Sequence, residues 1–359
     1  MDKIIFILIL IISILFFYIA NKKNNKFFLF AGILLLSFTA GFRGELVGID
    51  TKFYYNAFVN NFPHSWQFPE EGFRFVSRNL MLIFNNPHIL FFIYSLIINL
   101  LIILRLWDFK DRCNFPFMTF LYLFIYYIET MNIMRQFIAI AIIFYSTRFL
   151  ERRRILLFIL IIIAATYIHK TALLGLFILV VYFWNDLSKT KKILLSIPIL
   201  ALLVFVVYYI INYESGHISN YLSLDNSISN INITFIYRVF AFIASFLLYK
   251  SNCKIVFKNS IQETKKLKVI DEKKNDDFNK IYSIYILGLC LSSLGMFFLA
   301  LTRSGYYYMI FEILYWGYLA RNSRNKGISI CLISIFALYI FAIELIRNGS
   351  GIFPFYLSF

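Results

Sequence analysis

The feature that most limits what this chain can fold into is a recurrence of apolar runs, each close to the thickness of a bilayer. IIFILILIISILFFYIA (4–20) and ILFFIYSLIINLLIILRL (89–106) are examples, and about 20 apolar residues in a helix cross the hydrocarbon core. The runs are continuous rather than alternating, so they read as helices whose amides are satisfied internally, as lipid requires. They fall at 4–20, 27–40, 89–106, 115–128, 137–150, 155–168, 171–184, 193–211, 233–249, 281–301, 305–320 and 328–346. The chain is therefore expected to be an all-α polytopic integral membrane protein of about twelve transmembrane helices, one transmembrane domain over 1–359. The stretch 115–150 also reads as a broken pair around ETMNIMRQ.

Composition excludes several classes. With 60% hydrophobic and 15% charged residues, a soluble globular fold is excluded. A net charge of +16 suggests nucleic acid until the charges are placed, because most lie in short loops between apolar runs. No Walker pattern is present, and Cys113, Cys253, Cys290 and Cys331 lack metal-ligand spacing. The first apolar run precedes its basic cluster, NKKNNK, the reverse of a signal peptide, so it is expected to be an uncleaved span.

Basic residues set the orientation. Loops 21–26, 105–114, 148–154, 185–192, 250–280 and 321–327 hold 25 of the 35 Lys and Arg, and the alternate loops with both tails hold nine. The positive-inside rule makes the rich loops cytoplasmic and turns both termini outward. Segment 250–280 mixes both signs and reads as a solvated cytoplasmic linker.

The outward side carries patterns that topology does not require. GFRGELVGIDTKFYYNAF (41–58) interleaves Arg43, Glu45, Asp50 and Lys52 with aromatics and opens an outward region over 41–88. NIMRQFIAIA (132–141) puts Arg135 and Gln136 at the mouth of a span, TYIHKTALLG (166–175) puts His169 in a tight turn, and TRSGYYYMIFE (302–312) puts Arg303 before a tyrosine run. A lone arginine at a span end is usually an interfacial anchor, and a boundary histidine is usually a packing residue. Anchoring arginines favour the cytoplasmic face, however, and these lie opposite. Arg43, Arg135 and Arg303 are expected to converge on one cavity, where guanidinium forks suit phosphate oxygens. His169, Asp50 and Glu45 are the candidate bases. Asp50 reads equally well as a structural partner of Arg43.

With FRGELVGIDTKFYYNAF, EEGFRFVSRNL (70–80), NIMRQFIAIAI, TYIHKTALLG and RSGYYYMIFEIL (303–314), the chain resembles the EpsG-type branch of the Wzy-like polysaccharide polymerases. The resemblance implies a GT-C-like or Wzy-type membrane fold in the bacterial cytoplasmic membrane. It implies transfer of a polyprenyl-pyrophosphate-linked glycan onto a sugar hydroxyl of a fresh lipid-linked repeat unit, with polyprenyl pyrophosphate leaving on the outer face. Tyr54, Tyr55, Glu71, Gln136 and Tyr307 are the expected sugar-binding residues. No Asp-x-Asp motif faces outward, so no metal and no cofactor are expected. Expected partners are the lipid-linked oligosaccharide, membrane lipid, chain-length regulator and flippase proteins, with no nucleic acid. Two other functions fit the same charges: a lipid-linked oligosaccharide flippase, and a ligase moving finished glycan. A flippase would carry charge deep in several helices, whereas here only Arg238, Glu312 and Glu344 lie clearly inside spans.

Overall fold

The computed structural model describes residues 2–62, 68, 70–184, 238–244, 247, 265–294, 299–323 and 326–358. The expected span 193–211, most of 233–249 and the loop from 250 to 264 lie outside the described residues. Every named element among the described residues is helical, and the one strand-like pairing is the bridge Arg43–Leu357.

The apolar runs become α1 (Asp2–Lys23) and α2 (Lys26–Gly41), followed by α3 (Thr51–Val59) and α4 (Glu71–Phe84) within the stretch 41–88. Helix α5 (Pro87–Asp108) leads to α6 (Phe115–Leu121), a π-helical turn at Tyr122–Tyr126 and α7 (Tyr127–Asn132). Then come α8 (Met134–Glu151), α9 (Ile155–Thr166), a 3-10 turn at Lys170–Gly175 and α10 (Leu176–Trp184). The C-terminal part holds α11 (Lys265–Leu294), α12 (Leu299–Met309), α13 (Glu312–Asn322) and α14 (Lys326–Arg347). Among the described residues α1, α5 and α14 are each long and apolar enough to cross a membrane. The run expected as one span at 305–320 divides between α12 and α13 at Ile310–Phe311, which sets the Glu312 carboxylate in the first turn of α13, where the helix dipole favours negative charge.

Side-chain caps start several of these helices where the sequence supplies asparagine. Asn25 accepts from the Phe27 amide at 2.8 Å and Asn86, ahead of Pro87, from the His88 amide at 2.8 Å; both satisfy orphan first-turn donors. Helices α2 and α5 pack closely because Gly41 lacks a side chain: a Cβ there would lie 2.5 Å from the Phe92 Cα. Buried polar groups on these helices satisfy one another. Tyr122 donates to Asn99 Oδ1 at 2.7 Å, and the Asn99 amide reaches Ser95 Oγ at 3.1 Å and Ser37 Oγ at 3.3 Å. The outer faces of α1 and α14 instead expose Ile4, Leu8, Leu15, Ile335 and Leu338, as lipid contact requires.

Charged residues separate to the two ends of α5, which at 22 residues is about 33 Å long. At its C-terminal end Arg105 pairs with Glu151 at 2.5 Å, Lys110 meets Asn24, and Arg321 donates to the Lys110 carbonyl at 2.7 Å. Asn24, Lys110, Glu151 and Arg321, from four of the loops rich in Lys and Arg, thus share one end. The His88 ring at the other end stacks near Phe42, at 6.4 Å between centroids, and that end holds the sequence patterns of the outward set.

Candidate functional site

The loop after α2 is held by the C-terminal segment. Gly44 N donates to Tyr356 O at 2.8 Å, Gly48 N to Gly351 O at 2.9 Å, Ile49 N to Ser350 O at 3.0 Å, and Ser358 N to Phe42 O at 2.8 Å. Gly48 has φ +101, and a Cβ there would meet Asn132 Oδ1 at 2.6 Å; only glycine fits that turn. Arg43, 1% exposed, holds the same loop from inside. Its Nε donates to Thr51 Oγ1 at 3.1 Å, Nη2 to Met131 O at 2.9 Å and Nη1 to Ala40 O, with Phe91 beneath the guanidinium. Burial lowers its pKa to about 10, so it stays charged at neutral pH. This loop and the Met131 backbone are thereby one rigid unit, and Asp50 stands at the N-terminus of α3 upon it.

A second unit forms around Glu70, the residue before α4, which is 3% exposed. Its Oε2 accepts from Arg135 Nη1 at 2.6 Å, and its Oε1 faces His169 Nδ1 at 3.2 Å and the Lys170 amide at 3.3 Å. The turn between α9 and the 3-10 segment presents His169 in extended backbone, and the Phe73 amide binds the Tyr167 carbonyl at 3.2 Å, which docks α4 on that turn. Phe68 and Phe73 lie under the Arg135 guanidinium at 5.1 and 5.9 Å. Burial alone would raise the Glu70 carboxyl, but the His169 hydrogen bond and the Arg135 charge outweigh it and bring the pKa down to about 2. For His169 burial is the larger effect, aided by Arg135 and Arg303, and the pKa falls despite Glu70. A carboxylate that is always ionised can only accept, so the neutral imidazole carries its proton on Nδ1 and keeps a lone pair on Nε2.

Arg303 completes the set. Helix α12 is tied to α8 where Gln136 Nε2 donates to the Arg303 carbonyl at 2.7 Å. The Arg303 side chain is exposed and has no hydrogen-bond or ion-pair partner among the described residues. Its charge acts on Asp50 and His169 together. Asp50 is raised by burial against the pull of Arg303 and Arg135. A guanidinium without a partner among the described residues, beside a neutral histidine and a half-buried carboxyl, can take an anion and accept a proton in one place.

The expected residues divide accordingly. Arg135, Gln136, His169, Arg303 and Asp50 come together. Tyr54 joins them, its hydroxyl against the Arg135 backbone, and the Tyr307 hydroxyl meets Thr171 Oγ1 at 3.1 Å beside them. Arg43 supports the site from below, directed at protein acceptors and not at Asp50. Glu45 and Tyr55 stand toward His88, Tyr55 at 5.7 Å between ring centroids. Glu71 is exposed on α4, and its neighbour Glu70 is the buried carboxylate instead. Sequence reasoning missed Glu70; the available signal was its place directly before a helix.

The chain matches the EpsG family over residues 26–357. No curated protein and no solved structure matches it. The match takes in every segment just described, from the α2 loop to the C-terminal strap, and the membrane-length apolar helices agree with it: this chain belongs to the EpsG family, a Wzy-like polysaccharide polymerase family of membrane proteins.

Proposed function

We propose that the chain joins polyprenyl-pyrophosphate-linked repeat units by glycosyl transfer on the outer face of the bacterial cytoplasmic membrane. The observation that carries this reading is the Arg135–Glu70–His169 cluster beside the unpartnered Arg303. The acceptor sugar hydroxyl gives its proton to His169 Nε2 as its oxygen bonds to C1 of the donor sugar. The bond from C1 to the pyrophosphate oxygen breaks, and polyprenyl pyrophosphate leaves with the bonding pair. Arg303 and Nη2 of Arg135, which has no hydrogen-bond partner among the described residues, receive the departing charge; removing one such donor typically costs about 10²–10³ in rate. Glu70 holds the imidazole in the productive tautomer, and base catalysis of this type contributes roughly 10²–10⁴. Asp50 and Tyr54 line the acceptor side, where a carboxylate and an aromatic face suit a sugar. Arg43 is a positioning residue for that loop.

Reconstituted protein given synthetic polyprenyl-pyrophosphate repeat units on the outer leaflet tests the reading. Elongated lipid-linked glycan with released polyprenyl pyrophosphate is expected. Movement of the lipid across the bilayer without elongation would make the chain a flippase and overturn it.

A further inference from the structure

Helix α7 carries a carboxylate that the reaction above leaves unused. Glu129 sits between the π-helical turn and the break at Ile133, and its side chain is part-exposed while its neighbours Tyr127, Ile128, Thr130, Met131 and Asn132 are buried. Its backbone carbonyl ends α7 by accepting from the Ile133 amide at 3.0 Å. The carboxylate has no hydrogen-bond or ion-pair partner among the described residues. Around it stand Arg303 and Tyr306 of α12, Asp50 of the α2 loop, Glu344 of α14 and Arg238, while Arg135 of α8 is turned to Glu70. At the end of α7, Asn132 Nδ2 donates to Ser350 O at 2.9 Å and Ser350 N to Glu344 Oε1 at 2.7 Å, while Gln136 Nε2 holds the Arg303 carbonyl at 2.7 Å; Glu129 thus shares the charge of Arg303 with His169 and Asp50.

We propose that Glu129 is the general acid of the transfer reaction, donating its proton to the pyrophosphate oxygen that leaves C1. This rests on the polymerase reading of the site. Scission of the glycosyl bond leaves a terminal phosphate that gains a negative charge and takes up one proton near neutral pH. As the bond from C1 to that oxygen breaks, the O–H bond of Glu129 transfers its proton to the same oxygen, while the acceptor proton passes to His169. One carboxylate and one imidazolium result, and proton exchange through water resets both. Burial, with Glu344 and Asp50 nearby, outweighs Arg303 and Arg238 and raises the Glu129 carboxyl to about 7, so a neutral acid is present at the pH of the reaction. Burial raises the proton affinity of Glu129 and lowers that of His169, so each favours its uncharged form, which suits this division of roles.

The test compares wild type and Glu129→Gln in single-turnover elongation with two donors, whose pyrophosphate bridging oxygen is replaced by CF2 or by CH2. The CH2 leaving group is the more basic and depends more on protonation. For Glu129→Gln the CF2-to-CH2 rate ratio should rise at least tenfold over wild type. The fall in wild-type rate as pH rises through about 7 should also be absent in the variant. An unchanged ratio with the alkaline fall retained would overturn the proposal, even if the variant is slow. A variant that does not fold is replaced by Glu129→Asp, which keeps an acid and should show a ratio near wild type; a ratio as high as that of a variant with no acid, or an alkaline fall lost, would also overturn it. No elongation by the wild type with its natural donor would instead remove the polymerase reading, a separate outcome.

Discussion

Replacing Glu70 with glutamine changes one oxygen to an NH2 and should disable the site through the tautomer of His169. Glu70 accepts from Arg135 Nη1 and Lys170 N and faces His169 Nδ1. A glutamine there has one accepting oxygen. The permanent charge of Arg135 claims it, since a guanidinium cannot give up its donors, and the amide NH2 then points at His169 Nδ1. The imidazole must accept on Nδ1 and carry its proton on Nε2, the wrong arrangement for a base. The expected loss is most of the base contribution, roughly 10²–10⁴ in turnover, with donor affinity little changed. Stability shifts too: the folded pKa of about 2 against an ordinary 4.5 corresponds to roughly 3 kcal/mol. That contribution is present above pH 4.5 and is lost as pH falls through about 2, so acid unfolding of Glu70→Gln should lack this pH dependence. Single-turnover elongation in nanodiscs, with thermal unfolding measured from pH 7 downward, reads both effects. Turnover within about threefold of wild type would refute the tautomer argument.

Arg135→Lys keeps the charge but loses the fork that holds Glu70 with one arm and leaves the other for the departing pyrophosphate, so elongation should fall sharply at normal membrane abundance, whereas Arg153→Lys near the opposite end should be close to neutral. Similar behaviour of the two would reduce Arg135 to an anchor. Arg43→Lys cannot serve Thr51, Ala40 and Met131 at once; each acceptor left bare costs about 1–3 kcal/mol, so folded yield and thermal stability should drop together. A variant as stable as wild type would show that Arg43 does not hold the loop. Cysteine labelling in intact cells should reach a cysteine placed at Asp50 and not one at Arg153; a cytoplasmic Asp50 would sink both topology and site.

Much of the fold was legible because lipid imposes a simple rule on the chain. The apolar runs at 4–20, 89–106 and 328–346 become α1, α5 and α14 with small shifts at their ends. Division of 305–320 was not legible, since hydropathy stays high through Ile310 and Phe311 and the break is a matter of backbone turn and packing. The site was partly legible: Arg135, His169 and Arg303 are ionisable groups placed against the expected charge asymmetry. Which way a guanidinium points is not written in its neighbours, so Arg43 and Arg303 read alike although one binds the protein interior and the other has no partner among the described residues. Glu70 and Glu71 are likewise neighbours of one type, and only the start of α4 separates the buried residue before the helix from the exposed one in its first turn. Glu129 was hidden for another reason, because its meaning depends on Asp50, Arg303 and Glu344 brought from distant segments.

The most direct test of the central claim, that the cluster around His169 performs the transfer, is single-turnover elongation by purified His169→Gln under saturating lipid-linked repeat unit. Glutamine preserves a hydrogen bond to Glu70 but has no basic lone pair at the Nε2 position. Normal folding and donor binding are expected, with turnover reduced by about a hundredfold or more. Near-normal turnover would contradict it, and the proton would have to leave by another group.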